Sequence, residues 1–305
     1  VLRISVIVLA IVWGSLSVVI LAVTGIANFI PTNGTLLLTN NIFLDRLDRF
    51  EIIDLNQRIR YSFSPDVPEG TLDVSLAPDG RKMAVVTVAD RQFSLSIIGI
   101  DGQPVIEPLL TSYALDFEEV RWSENGRYLM YYDAFADSDA NIFILDTATG
   151  NLTDIPSYEG LHPSASWSHD EQQIAYTDIQ AGETTSQIWI ADINGENRLQ
   201  LTDNDHSSYC PTWSPDGETI AYIETQDDGD NLRYVTIDGN EDERYFSGTW
   251  NMTSCPSWSN NGRYLIFVSL DLTTYQTDVI RLDVLTGEEI SLLEVEQIVN
   301  LQLWR

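Results

Sequence analysis

Trp213-Ser214-Pro215-Asp216-Gly217, followed closely by Ile220-Ala221-Tyr222-Ile223, is the stretch that decides how this chain folds. Related landmarks centre on Leu76, Trp122, Trp167, Trp258 and Trp304, and the steps along the full series are 46, 45, 46, 45 and 46 residues. A constant period of this size marks a repeat architecture, in which each unit buries its apolar face against the next.

Within each unit a turn follows the landmark: Pro78-Asp79-Gly80, Asn125-Gly126, Asp216-Gly217 and Asn261-Gly262. Asn-Gly and Asp-Gly suit tight hairpins because both residues tolerate positive φ. A strand of β-formers comes next, such as Tyr128 to Tyr132 or Tyr264 to Ser269, then a polar loop and a third strand such as Ile188 to Asp192. A second turn at Gly102, Gly150, Gly195, Gly239 or Gly287 leads into a fourth strand, for example Arg198 to Thr202. Four short strands per repeat predict a propeller blade.

The two ends of the chain share one unit. The last repeat holds only its first strand, about Gln297 to Trp304, whereas the first holds the other three, at Thr35 to Thr39, Phe50 to Leu55 and Arg58 to Ser64. The expected fold is therefore an all-β, six-bladed β-propeller over residues 31–305, closed by pairing of the C-terminal strand with the three N-terminal strands. Closure removes sheet edges that would otherwise template aggregation.

The Trp-Ser-Pro-Asp-Gly repeat, with its Ile-Ala-Tyr-like and Ile-Trp-Ile-Ala-Asp-like strands, resembles the TolB-type β-propeller family over roughly residues 33 to 305. The resemblance implies the scaffold more than an activity. Propellers of this type serve the Tol-Pal envelope system, form parts of serine peptidases, or hold a metal in lyases. Tol-Pal TolB also carries an N-terminal α/β domain, for which this sequence shows no counterpart.

From Ile4 to Ile30 runs a 27-residue stretch without a charge, against about 20 needed to cross a hydrocarbon core. A single transmembrane α-helix anchoring residues 1–30 is the expectation. A cleavable signal peptide ending near Gly25-Ile26-Ala27 is the rival, although signal h-regions span roughly 7–15 residues. Arg3 and the acidity of the remainder place the N-terminus in the cytoplasm and the propeller in the periplasm or outside the cell. Ala10, Gly14 and Ser17 form a small-residue stripe suited to helix–helix packing.

Sixteen basic residues against 46 acidic ones give a net charge of −30, with Lys82 the sole lysine. That balance excludes nucleic acid as a partner, because binding it requires a cationic surface to neutralise phosphates. Solubility is the first reading of such acidity, and attraction of an electropositive partner is the second.

Cys210 and Cys255 stand 45 residues apart, at equivalent places three residues before a landmark Trp. An oxidising compartment would allow a disulfide between adjacent blades. Against it, equivalent positions point in the same rotational sense, whereas a bridge needs converging Cβ vectors.

No Gly-x-Ser-x-Gly elbow is present, which removes the peptidase branch. His162 and His206 enter adjacent inner strands in different registers and His169 sits in a turn, a poor metal-ligand set. The acidic runs Asp133 to Asp139 and Asp227-Asp228-Gly229-Asp230 lack EF-hand spacing and read as solvated loops. No catalytic residue, metal or cofactor is expected.

The repeat Trp residues are assigned to packing between blades. Trp250 and Met252 have no counterpart in the other repeats, and aromatics with Met are enriched at interfaces. With Tyr158, His206 and Tyr209 they make the expected partner surface. The reading is a non-catalytic, membrane-anchored scaffold or accessory subunit of a membrane or envelope complex. A propeller binding a glycan, peptide or small ligand in the channel mouth is the alternative, and a metal-dependent lyase or hydrolase there is the third.

Overall fold

The computed structural model describes residues 35–42, 46–54, 59–63, 67–90, 92–112, 116–134, 141–157, 164–180, 182–226, 229–240, 246–250, 252, 254–271, 274, 276–295 and 300–304. Every regular element among them is a strand. The first three are β1 (Thr35–Ile42), β2 (Arg46–Asp54) and β3 (Ile59–Phe63). A first blade follows with β4 (Thr71–Leu76), β5 (Lys82–Ala89), β6 (Gln92–Gly99) and β7 (Pro104–Ser112). The second contains β8 (Asp116–Trp122), β9 (Tyr128–Ala134), β10 (Asn141–Asp146) and β11 (Leu152–Pro156). In the third are β12 (Ala165–Trp167), β13 (Gln173–Asp178), β14 (Gln187–Asp192) and β15 (Leu199–Gln200). The fourth has β16 (Ser208–Trp213), β17 (Thr219–Gln226), β18 (Gly229–Thr236) and β19 (Phe246–Trp250). The fifth has β20 (Ser257–Trp258), β21 (Tyr264–Leu270), β22 (Thr277–Asp283) and β23 (Glu289–Val295), and β24 (Asn300–Trp304) ends the chain.

Each blade is an antiparallel sheet in sequence order. First strands face one another around the axis, β4 against β8, β12 against β16 and β16 against β20, so the fourth strands lie outermost. The core sits between blades. Trp122 joins Val86 and Leu95 of the first blade to Leu129 and Tyr131 of the second. Trp167, Trp213 and Trp258 do the same at the next three interfaces. The indoles also bond across: Trp122 Nε1 donates to the Ser75 carbonyl at 3.0 Å and Trp258 Nε1 to the Thr212 carbonyl at 3.2 Å. At these two interfaces the ring fills space while satisfying a buried carbonyl; Trp167 Nε1 is buried without a hydrogen-bond partner, so filling the space between blades is what the repeated Trp shares.

The fold class expected from sequence is corrected in its blade count. Five blades rather than six form the packed body, Thr71 to Val295, held by the four inter-blade cores just described. The terminal strands pair as a sheet in the order β24-β1-β2-β3, with Thr35 opposite Trp304. Connectivity is the physical difference. Each of the five blades closes short hairpins within one stretch of chain, while the terminal sheet must join the two ends of the sequence, a costlier loop closure. No helix among the described residues is long and apolar enough to cross a membrane. The stretch Ile4 to Ile30, with Ala10, Gly14 and Ser17, lies outside the described residues.

Candidate functional site

Antiparallel blades put the starts of the first and third strands at one face, and the Asp-Gly and Asn-Gly turns at the other. Tyr209 and Cys210 open β16, Asp230 opens β18, and Met252 lies between β19 and β20. All four therefore gather at the face opposite those turns, which we call the loop face.

Asp230 is the centre of this group. It is buried, and its Oδ1 accepts the Tyr209 hydroxyl at 2.9 Å and the Thr225 hydroxyl at 3.1 Å. Its Oδ2 accepts the Met252 backbone N–H at 2.9 Å, fixing the segment that leads into the fifth blade. Burial pushes the Tyr209 phenol well above its ordinary value; the Thr225 hydrogen bond counters this, and the neighbouring carboxylate adds to it. The phenol thus stays protonated and serves as a donor, not as a base or nucleophile. The solvated-loop reading of Asp227 to Asp230 is corrected for Asp230. A buried carboxylate needs several donors, and three are supplied.

Cys210 links three blades. Its backbone N–H donates to Ser164 Oγ of the third blade at 2.8 Å, and Ser164 Oγ lies 2.8 Å from Thr177 Oγ1. Its sulfur is bonded to Cys255 of the fifth blade, with Cα atoms 5.0 Å apart. The objection from equivalent positions fails because they are not conformationally equivalent. A bulge between Tyr209 and Thr212 inserts one residue into β16, and Cys210 adopts φ +54°. Such a bulge re-aims its side chain.

A second network holds the loop leading into β16. Gln187 donates through Nε2 to the Asn204 carbonyl at 2.9 Å and accepts the Thr202 hydroxyl at Oε1 at 2.7 Å. Buried Glu224 receives Gln226 Nε2 at 2.6 Å and the Arg233 guanidinium at 3.1 Å. The His206 ring is exposed, and its backbone N–H reaches Asn204 Oδ1 at 3.3 Å.

Of the expected partner surface, Tyr209 and Met252 are brought together through Asp230, and His206 lies exposed in the same blade's leading loop. Trp250 ends β19, its backbone paired with Asp230. Tyr158 and His162 lie outside the described residues. Sequence reading missed Asp230 because nothing in an acidic run marks which carboxylate turns inward. Among the described residues no group of three or more His, Cys, Asp or Glu is placed to hold a metal.

The opposite, turn face carries ion pairs that close blades. Arg127 lies 2.6 Å from Asp146, whose carboxyl is held below the usual carboxylate range by that guanidinium. Arg263 Nε bonds Asp283 at 2.9 Å in the equivalent place of the fifth blade. In the third blade Glu171 takes the position that glycine fills in the others, at φ +56°. Its Oε1 accepts the Asn125 N–H of the neighbouring blade at 2.5 Å, while its Oε2 is buried without a hydrogen-bond partner.

The model of the TolB beta propeller domain family matches residues 82–295. An uncharacterized protein of Agrobacterium fabrum (strain C58) is 23% identical over 207 residues, 64% of this chain and 69% of that protein. The Tol-Pal system protein TolB of Francisella tularensis subsp. mediasiatica is 29% identical over 83 residues, 27% of this chain but only 19% of TolB. The crystal structure of TolB from Acinetobacter baumannii superposes with a TM-score of 0.64 at 18% identity, covering 93% of this chain and 68% of that one, a likeness of fold.

Proposed function

This chain belongs to the TolB beta propeller domain family, and from that premise we propose that it is a non-catalytic interaction scaffold, an accessory subunit of a membrane or envelope complex that engages its partner through the loop face. One observation carries the reading. The polar groups that converge there are consumed in bonds that shape the surface: Asp230 by Tyr209, Thr225 and Met252, and Glu224 by Arg233 and Gln226. A site built for chemistry needs groups free to meet a substrate; a site built for docking needs a fixed shape.

The Cys210–Cys255 bond suits a compartment outside the cytoplasm. Anchoring by the uncharged stretch Ile4 to Ile30 would hold the propeller there at a membrane. Gentle detergent extraction from native membranes, followed by sizing and mass spectrometry, tests the proposal. Stoichiometric companions that survive purification, and are lost when Met252 and His206 are replaced by Asp, are the expected result. A lone monomer contradicts it.

A further inference from the structure

The exposed large apolar side chains among the described residues are Val105, Leu152, Leu199, Ile237, Leu285 and Ile290. They are not scattered. Val105, Leu152, Leu199 and Ile290 stand at or next to the first residues of β7, β11, β15 and β23, while Ile237 and Leu285 lie in the turns after β18 and β22. Every one is thus at the outer edge of the turn face, and each of the five blades contributes at least one. Leu285, at 74% exposure, is the most open.

This arrangement differs from that of a protein-binding patch, which concentrates apolar residues at its centre and charges at its rim. Here the turns nearer the axis carry Arg127 and Arg263, which pair with Asp146 and Asp283 at the ends of the third strands, and the apolar residues lie along the rim. A ring of contacts around one face fits a flat partner.

The chain also approaches from this side. Thr35 opens β1 opposite Trp304, the last residue of β24, so the preceding segment leaves from the turn face. Five steps of chain separate Ile30 from Thr35, a reach of at most roughly 18 Å. A tether that short makes even a weak surface contact effectively intramolecular.

We propose that the turn-face rim rests on the lipid surface of the membrane that holds the Ile4–Ile30 stretch, its apolar side chains entering the headgroup boundary; this rests on the anchoring reading above. Carboxylates flank the rim at Asp238, Glu288 and Glu289. Contact therefore depends on apolar burial and is weakened by anionic lipid.

The test uses the full chain reconstituted in phosphatidylcholine vesicles. Single variants Leu285→Cys, Leu152→Cys and, on the loop face, Glu183→Cys are labelled with an environment-sensitive dye, since the native cysteines are paired. The expected result is at least twofold quenching by lipid-borne quencher at 285 and 152, none at 183, and less at the rim when phosphatidylserine is added. Chain that floats with alkaline-washed vesicles but shows no quenching at 285 and 152 overturns the rim proposal while leaving the anchor intact. Chain that does not float overturns both. Equal quenching at all three positions overturns the assigned orientation.

Discussion

The Tyr209 hydroxyl donates to Asp230 at 2.9 Å, joining the first and third strands of the fourth blade at the loop face. The bond sits in a region where burial keeps the phenol protonated. Tyr209→Phe removes one of three donors to Asp230 and leaves the ring in place. A stability loss of about 1 kcal/mol is expected, read as a lower urea midpoint with unchanged slope.

Cys210 and Cys255 close a 45-residue loop. Cross-linking a loop of that length constrains the unfolded chain by roughly 2–4 kcal/mol. The double variant Cys210→Ser, Cys255→Ser should lose about that much in urea denaturation, and reduction of the native protein should match it.

Asp146, held by Arg127, has a folded-state pKa below that of the unfolded chain. Its stabilisation is therefore present above the ordinary carboxylate range and lost as pH falls toward the folded value. Asp146→Asn should melt below the native protein at neutral pH. The gap should close as pH is lowered from about 5 toward 2, as thermal melts across that range will show.

Glu171 behaves with the opposite sign. Burial raises its pKa, the Asn125 N–H works against that rise, and the like charges of Glu124 and Asp170 add to it. The folded state thus holds this proton more tightly than the unfolded chain does. The resulting stabilisation is full below the ordinary carboxylate value and is lost as pH rises through the folded one. Glu171→Gln keeps the acceptor for Asn125 and removes the charge. Its Tm should exceed that of the native protein by roughly 1–3 °C at pH 7 and equal it near pH 4.

The strand order was legible because it is written in local chemistry. The Trp-turn-strand repeat set the strands, their antiparallel pairing and the inter-blade place of the Trp residues, since each depends on neighbours in sequence. Features set by long-range geometry were not legible. The bulge at Cys210 is what brings the two sulfurs together, and periodicity alone argued against that pairing. The inward turn of Asp230 depends on donors from Tyr209, Thr225 and Met252. Strand length also differed: β15 spans only Leu199–Gln200 where a strand from Arg198 to Thr202 was expected. There Thr202 turns its hydroxyl to Gln187 and to the Ile188 N–H instead of continuing the ladder. The terminal sheet was counted as a sixth blade on matching register alone.

Site-specific photo-crosslinking in native membranes tests the central claim most directly, with the photoreactive residue at His206 or Met252 on the loop face and at Asp216 on the turn face. The account predicts one discrete protein adduct from both loop-face positions and none from Asp216. Adducts from Asp216 alone, or no protein adduct from either loop-face position, would contradict it.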